Sequence, residues 1–239
     1  MQVILYLING IIINNIEGLQ YIPAKAFIDA TGDAVLSILA GADYVQAGRD
    51  TEKIMPPTMC GIYSNFSGLE DPRKFMKQAV EDGFFGEETD IVIYGQLIAS
   101  NFSEGIFGLN AGHVFGTDAT NIASLTKAMM KGRKLSALYE EFFKKYVPGY
   151  EKSVLATTGS LLGVRESRRI IGEYTLTFED FKNRRHFPDQ IAVFNKEVDI
   201  HLYKPTKAEY ERQKEQGEYS GRIMNGESYG QRYSILVPK

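Results

Sequence analysis

Thiol chemistry has almost no footing in this chain, because Cys60 is the only cysteine in 239 residues. A single thiol excludes an internal disulfide framework and a multi-thiolate metal site, and it suits a reducing, cytoplasmic setting. Cys60 itself reads as a small buried hydrophobe. Histidine is scarce too. His113, His186 and His201 form no metal-ligand cluster in sequence, and none lies near Cys60 to suggest a thiol–imidazole dyad. Neither G-x-S-x-G nor H-E-x-x-H occurs, so the hydrolase chemistries those motifs carry are not expected. Charge of one sign is also missing: 27 basic and 30 acidic residues leave a formal net charge of −3, which gives no electrostatic drive toward nucleic acid or an anionic membrane. No apolar run reaches the ~20 residues of a spanning helix. The nearest, Met1 to Ile13, lacks a basic start and is interrupted by Asn9-Gly10, so buried strands are expected there.

What is present suffices for a packed core, since 44% of the residues are hydrophobic and 12% aromatic, in a length that suits one large domain or two small ones. The stretch from Phe27 to Gly41 organises the reading. Apolar Ala26, Phe27 and Ile28 pass through Ala30-Thr31 into Gly32, after which Val35, Leu36, Leu39 and Ala40 recur at helical spacing. This predicts strand, tight turn and helix. Gly32 can take a positive φ and admit a close ligand, Asp33 would be the helix N-cap, and unpaired N–H groups behind it would suit an anion or nucleotide. The same pattern also serves a βα turn that binds nothing.

Ahead of it, strands over 11–14 and 19–26 flank the turn Asn15-Ile-Glu-Gly18. Behind it, Gly41, Gly48 and Pro56-Pro57 break every period, which places a domain boundary near residue 50. Strands are then expected over 58–66 and 90–94, with a helix from Asp71-Pro72 to Val80. Residues 101–116 are rich in glycine and aromatics, yet contain no G-x-G-x-x-G and so predict no phosphate loop. The longest helix runs from Thr120 to Tyr146 on apolar positions Ile122, Leu125, Met129, Leu138, Phe142 and Tyr146, with Met129-Met130 as core filler. A capping box at Thr177/Asp180 opens a short helix, a second at Thr206/Glu209 opens the charged run 206–218, which reads as a solvated helix or an excursion, and strands are expected over 190–194 and 197–203.

Two constellations could carry chemistry. In Gly163-Val-Arg-Glu-Ser-Arg-Arg-Ile-Ile-Gly-Glu173 an extended backbone would put Arg165 and Arg169 on one face and Arg168 on the other, so two guanidinia could clamp a carboxylate or phosphate. The alternative is a surface strand whose arginines pair with Glu166 and Glu173. In Asp199-Ile-His201 the carboxylate would sit beside the imidazole and favour its protonated form, as an acid or an anion contact, or else the pair is structural.

Taken in order, Ala24-Lys-Ala-Phe-Ile-Asp-Ala-Thr-Gly-Asp33, Pro148-Gly-Tyr-Glu151, Gly163 to Tyr174, Val198-Asp-Ile-His201 and Tyr233-Ser-Ile-Leu-Val-Pro238 resemble the FAD-dependent oxidoreductases related to fumarate-reductase and glutathione-reductase type flavoproteins. The resemblance implies an α/β fold: a partial, Rossmann-like FAD-binding domain over 1–50, an α+β substrate domain over 51–230, and the start of a return strand over 231–239. It implies FAD as cofactor, with Thr31, Gly32 and Asp33 lining one side of its site. Arg165 and His201 would be catalytic, Arg168, Arg169 and Asp199 would bind a small anionic or hydroxylated substrate, and no metal is implied. Such proteins begin with a glycine-rich pyrophosphate loop and continue past the Leu-Val-Pro strand to an Ala-Gly-Arg segment. Neither occurs here, so an internal piece that alone is inactive or binds FAD poorly, and that self-associates through exposed apolar surface, is expected, with a non-catalytic anion-binding or interaction domain as the other reading.

Overall fold

The computed structural model describes residues 8–68, 70–95, 97–199, 201–215 and 223–239. In chain order the elements are β1 (Gly10–Asn15), β2 (Gly18–Pro23), α1 (Val35–Leu39), β3 (Tyr44–Gln46), β4 (Gly61–Ser64), α2 (Met76–Glu81), α3 (Thr89–Tyr94) and β5 (Leu97–Ser103). They continue with β6 (Ile106–Ala111), α4 (Ile122–Tyr146), β7 (Val154–Thr158), β8 (Arg168–Ile170), α5 (Phe178–Lys182), β9 (Gln190–Phe194), α6 (Lys207–Glu215) and β10 (Tyr229–Arg232). Helix and sheet are mixed, as an α/β chain requires. Every ladder between these strands is antiparallel. The described residues fall into two compact units. One gathers 8–46, 168–197 and 223–239, and the other 47–167 and 198–215.

Unit 2 is built on the sheet β5-β6-β4-β7 and the long helix α4. Alternation on β6 sends Phe107, Leu109 and Ala111 to the helix side, where Tyr63 of β4 joins Tyr139, Phe142 and Phe143 of α4. Tyr63 stacks on Phe107 at 5.1 Å and meets Phe143 edge-on at 5.2 Å, and its hydroxyl donates to the Ser136 carbonyl at 2.8 Å. Each such ring removed from water contributes about 1.5–3 kcal/mol. Asn121 caps α4 by accepting from the Ser124 N–H. The helical stripe is rotated from the expected one. Ala128, Gly132, Leu135 and Ser136 are buried, whereas Ile122 is exposed. Gly132 is required by proximity, since a Cβ there would stand 2.7 Å from the Met59 Cβ. The expected core role of the methionine pair divides: Met129 packs against the buried cluster that includes Met59 and Leu135, and Met130 faces solvent.

Unit 1 holds the ladders β1–β2, β3–β8 and β9–β10. The hairpin forms with Gly18 at φ +98°, but its strands are not buried as expected: Ile12, Leu19 and Tyr21 are exposed, and Ile16 at the turn is fully so. Near the other end, the Thr177 box starts α5. Its buried Asp180 accepts from the Thr177 N–H and hydroxyl, the Tyr174 hydroxyl and Arg185 Nη1, all within 2.9 Å. Burial alone would raise this carboxyl, but these donors together hold it well below the usual carboxylate range.

Several segments differ from expectation. Residues 90–94 are helical, not extended, because a short apolar run fits either period and here follows directly on a 3-10 turn at Gly86–Glu88. The glycine-rich stretch 101–116 contains most of the hairpin β5–β6. Residues 26–28, 197–199 and 201–203 form no ladder, and Ile200 lies outside the described residues. Of the return strand expected over 231–239, only 231–232 are extended, as the end of β10; a 3-10 turn at Tyr233–Ile235 follows, and then an isolated bridge from Pro238 to Gly172. The charged helix forms as α6, with Thr206 Oγ1 accepting from the Glu209 N–H, and residues 216–218 of its expected range lie outside the described residues.

Candidate functional site

Gly32 takes φ +80°, and no atom lies within 4 Å of where a Cβ would stand, so the turn is open to close approach. The helix behind it is not the expected anion site. Asp33 is not the N-cap; that position is Ala34, itself left-handed at φ 54°, and α1 spans only five residues. The donors at its start are already engaged: the Val35 N–H by Thr31 Oγ1 at 2.9 Å, and the Ser37 N–H by Asp29 Oδ2 at 2.8 Å. Asp29 also accepts from the Thr31 N–H and hydroxyl. Burial opposes its ionisation, yet these bonds outweigh it and lower its pKa to about 2. A fixed carboxylate at the helix start disfavours a second anion there.

The arginines do not form the two-guanidinium clamp. β8 begins only at Arg168, so Arg165 lies ahead of the strand and cannot share its face with Arg169. Arg169 is exposed on β8, and Arg168 Nη1 reaches the Asp33 carbonyl at 3.5 Å. Neither of the pairings expected with Glu166 and Glu173 accounts for Arg165. The Glu166 carboxylate instead accepts from the Met55 N–H.

Arg165 belongs to unit 2, where the Gly163 N–H donates to the Thr58 carbonyl at 2.8 Å and Leu162 is buried in the second core cluster. From this anchored loop Arg165 meets the other expected constellation. Nη2 donates to Asp199 Oδ2 at 2.7 Å, and Nη1 lies 2.6 Å from His201 Nε2, which is itself 3.0 Å from Asp199 Oδ1. The next residue, Leu202, is buried although the segment is not a strand. Nε2 therefore faces a guanidinium donor and a carboxylate acceptor together. It accepts from Arg165 when the ring proton is on Nδ1, and donates to Asp199 when the proton is on Nε2.

The expected protonation is reversed. Asp199 does favour the imidazolium, but burial first and the Arg165 charge second outweigh it and lower the His201 pKa, so the ring is neutral near pH 7. Sequence reasoning missed a fourth member. His113 follows Gly112, whose φ of +73° turns the chain at the end of β6, and its ring centroid lies 5.0 Å from that of His201. Only 2% exposed, it is depressed to about 4 by burial and then by His201 and Arg165. No sequence pattern links it to residue 201, because Gly112 aims it and α4 supports Gly112. His186 lies in unit 1, near Gln190 and Ser228. Cys60 is exposed rather than buried, because it alternates away from the core side of β4 taken by Tyr63.

No helix among the described residues is long and apolar enough to cross a membrane. A family model described as FAD dependent oxidoreductase matches residues 4–239. No curated protein and no solved structure matches the chain.

Proposed function

The chain belongs to the FAD dependent oxidoreductase family, and on that premise we propose that it carries out flavin-mediated hydride transfer to or from a small hydroxylated substrate, with Arg165 and His201 at the reacting group. The observation that carries this is the charge balance of the site. The Arg165 guanidinium is already answered by Asp199 at 2.7 Å, and His201 is neutral, so an anionic substrate would have to compete with a carboxylate in place. A hydroxyl needs only a proton acceptor and a donor. The same balance weakens the reading of a non-catalytic anion-binding domain.

When bound, FAD supplies the two-electron acceptor or donor at the substrate carbon. In the oxidative direction His201 acts as the base: with Nε2–H directed to Asp199 Oδ1, Nδ1 takes the hydroxyl proton as the C–O bond becomes C=O. Asp199 fixes that tautomer, and Arg165 holds the Asp199 carboxylate in place by donating from Nη2. In the reductive direction the ring returns the proton from Nδ1.

Unit 1 is assigned the cofactor, in the Rossmann-like arrangement the family implies. The residues present fit part of it. Open space at Gly32 suits a close neighbour, and the carboxyl-bearing turn Thr31-Gly32-Asp33 suits ribose or ribityl hydroxyls rather than phosphates, because the helix-start donors are taken.

FAD titration of the purified chain, read by flavin absorbance, is expected to saturate, and alcohols should then reduce the bound flavin without air. His201→Ala should slow that reduction by about 10²-fold or more with FAD still bound. Absence of saturable binding, or an unchanged rate in both His201→Ala and Arg165→Ala, refutes the reading.

A further inference from the structure

Beside the imidazoles of unit 2 lies a cavity of about 300 Å³. We infer that this cavity is the substrate site, that it selects a neutral ring bearing a hydroxyl, and that His113 is a second substrate-binding residue within it. The inference rests on the hydroxylated-substrate reading and narrows it.

Size comes first, for a space near 300 Å³ is at the small end of ligand pockets and admits a single ring. The walls come next. Tyr94, Phe115 and Tyr210 supply aromatic surface, with the rings of Tyr94 and Tyr210 5.8 Å apart and tilted by 42°. His113, His201 and Gln213 supply hydrogen-bonding groups. Among the described residues, no Lys, Arg, Asp or Glu lines it. A charged ligand entering would lose hydration without meeting an opposite charge on the described lining, a cost that a neutral ring avoids. Aromatic walls, in turn, match the faces of a ring better than an open-chain alcohol.

His113 is what separates this cavity from a packing defect. Burying an imidazole to 2% exposure is unfavourable compared with an apolar side chain of similar volume, and the β6 end could have been closed by either. Instead the imidazole borders the cavity together with His201, its centroid 5.0 Å away. Two uncharged imidazoles on one wall can each donate or accept according to tautomer. One can take the reacting hydroxyl while the other holds a second polar atom of the ring.

The test needs no flavin. The ring resonances of His113 and His201 in the full chain, isotopically labelled, are followed while phenol, cyclohexanol and benzoate are titrated in turn at pH 7.5. Phenol is expected to shift both imidazoles saturably, cyclohexanol to bind more weakly, and benzoate to bind at least about tenfold more weakly than phenol. Tyr210→Trp, on a partly exposed helical position, should fill the space and abolish the phenol shifts, with circular dichroism showing that the fold persists. His113→Asn should weaken phenol severalfold while leaving the His201 signal to report it. Benzoate binding as tightly as phenol, phenol shifting neither ring, or Tyr210→Trp without effect would each overturn the inference. Alcohol-dependent flavin reduction without phenol binding at His113 leaves the proposed activity standing and removes this site. Phenol binding without any flavin chemistry does the reverse.

Discussion

Unit 2 seals Tyr63, Phe107, Phe142 and Phe143 between a four-stranded sheet and the 25-residue α4, whereas the described residues of unit 1 form only two-stranded ladders and two five-residue α-helices, and leave much of the β1–β2 apolar surface exposed. Unit 1 relies instead on polar devices. Asp180 gathers donors from Thr177, Tyr174 and Arg185, and the Arg232 guanidinium lies over Tyr174 and Phe187 while pairing with Asp189. The contrast is between stability from buried area, which is diffuse and large, and stability from a few satisfied polar groups, which is local and fails when one partner is removed. The proposed chemistry sits in the first kind of unit, where a rigid support can hold uncharged imidazoles at fixed spacing.

The largest expected effect probes the aromatic core. Phe143→Ala should cost about 3–5 kcal/mol in urea unfolding, against no more than about 0.5 kcal/mol for Ile12→Ala in the hairpin. Equal losses would erase the distinction between the units. Next comes pH. An unfolded histidine binds its proton near 6.5, and folded His113 does so only near 4, so the unfolded state carries the extra proton in between and stability falls as pH drops through that window. The loss should approach roughly 3 kcal/mol, with His201 adding in the same direction, and thermal unfolding from pH 7 to pH 4 should show a slope that His113→Phe flattens. The carboxylates of Asp29 and Asp180 keep their contribution until lower pH, because their folded values lie below the ordinary range.

A smaller and more local effect is expected in unit 1. Asp180→Asn weakens its charge-assisted bonds at a cost of about 1–3 kcal/mol, and hydrogen exchange should quicken around 174–187 while the amides of α4 keep their protection. Loss of protection in both places would show that the units unfold as one. The smallest concerns association: Ile12→Lys combined with Leu19→Lys should change stability by under about 0.5 kcal/mol, yet lower any concentration-dependent sedimentation of the chain. Unchanged sedimentation would mean that the exposed hairpin is not the adhesive surface.

Those exposed isoleucines also show where sequence reading stops. Hydrophobic periodicity and caps located α4, α5, α6 and the β1–β2 turn, because these signals are local and the side chains that make them are neighbours in sequence. Periodicity could not say whether 90–94 was strand or helix, since five apolar-rich residues fit both. Nor could it say that Cys60 faces out or that Ile122 leaves the core, because burial depends on what packs opposite. The Arg165–Asp199–His201 cluster was partly legible: both motifs stood out by residue type, and the family resemblance tied them together. Its charge state was not. Proximity of Asp199 suggested an imidazolium, and only the depth of burial and the position of Arg165 reversed the sign. His113 left no trace, as nothing local marks a histidine whose neighbour is brought in by tertiary folding.

Gly112 makes the core and the cavity mechanically one. A Cβ at that position would press on the Leu135 Cβ at 3.1 Å, so the helix face that fills the second core cluster also fixes the pivot from which His113 hangs. Substitutions along α4 that only trade one apolar volume for another should therefore retune which rings the cavity accepts. An engineer could alter selectivity from inside the helix, without changing any residue that a ligand touches.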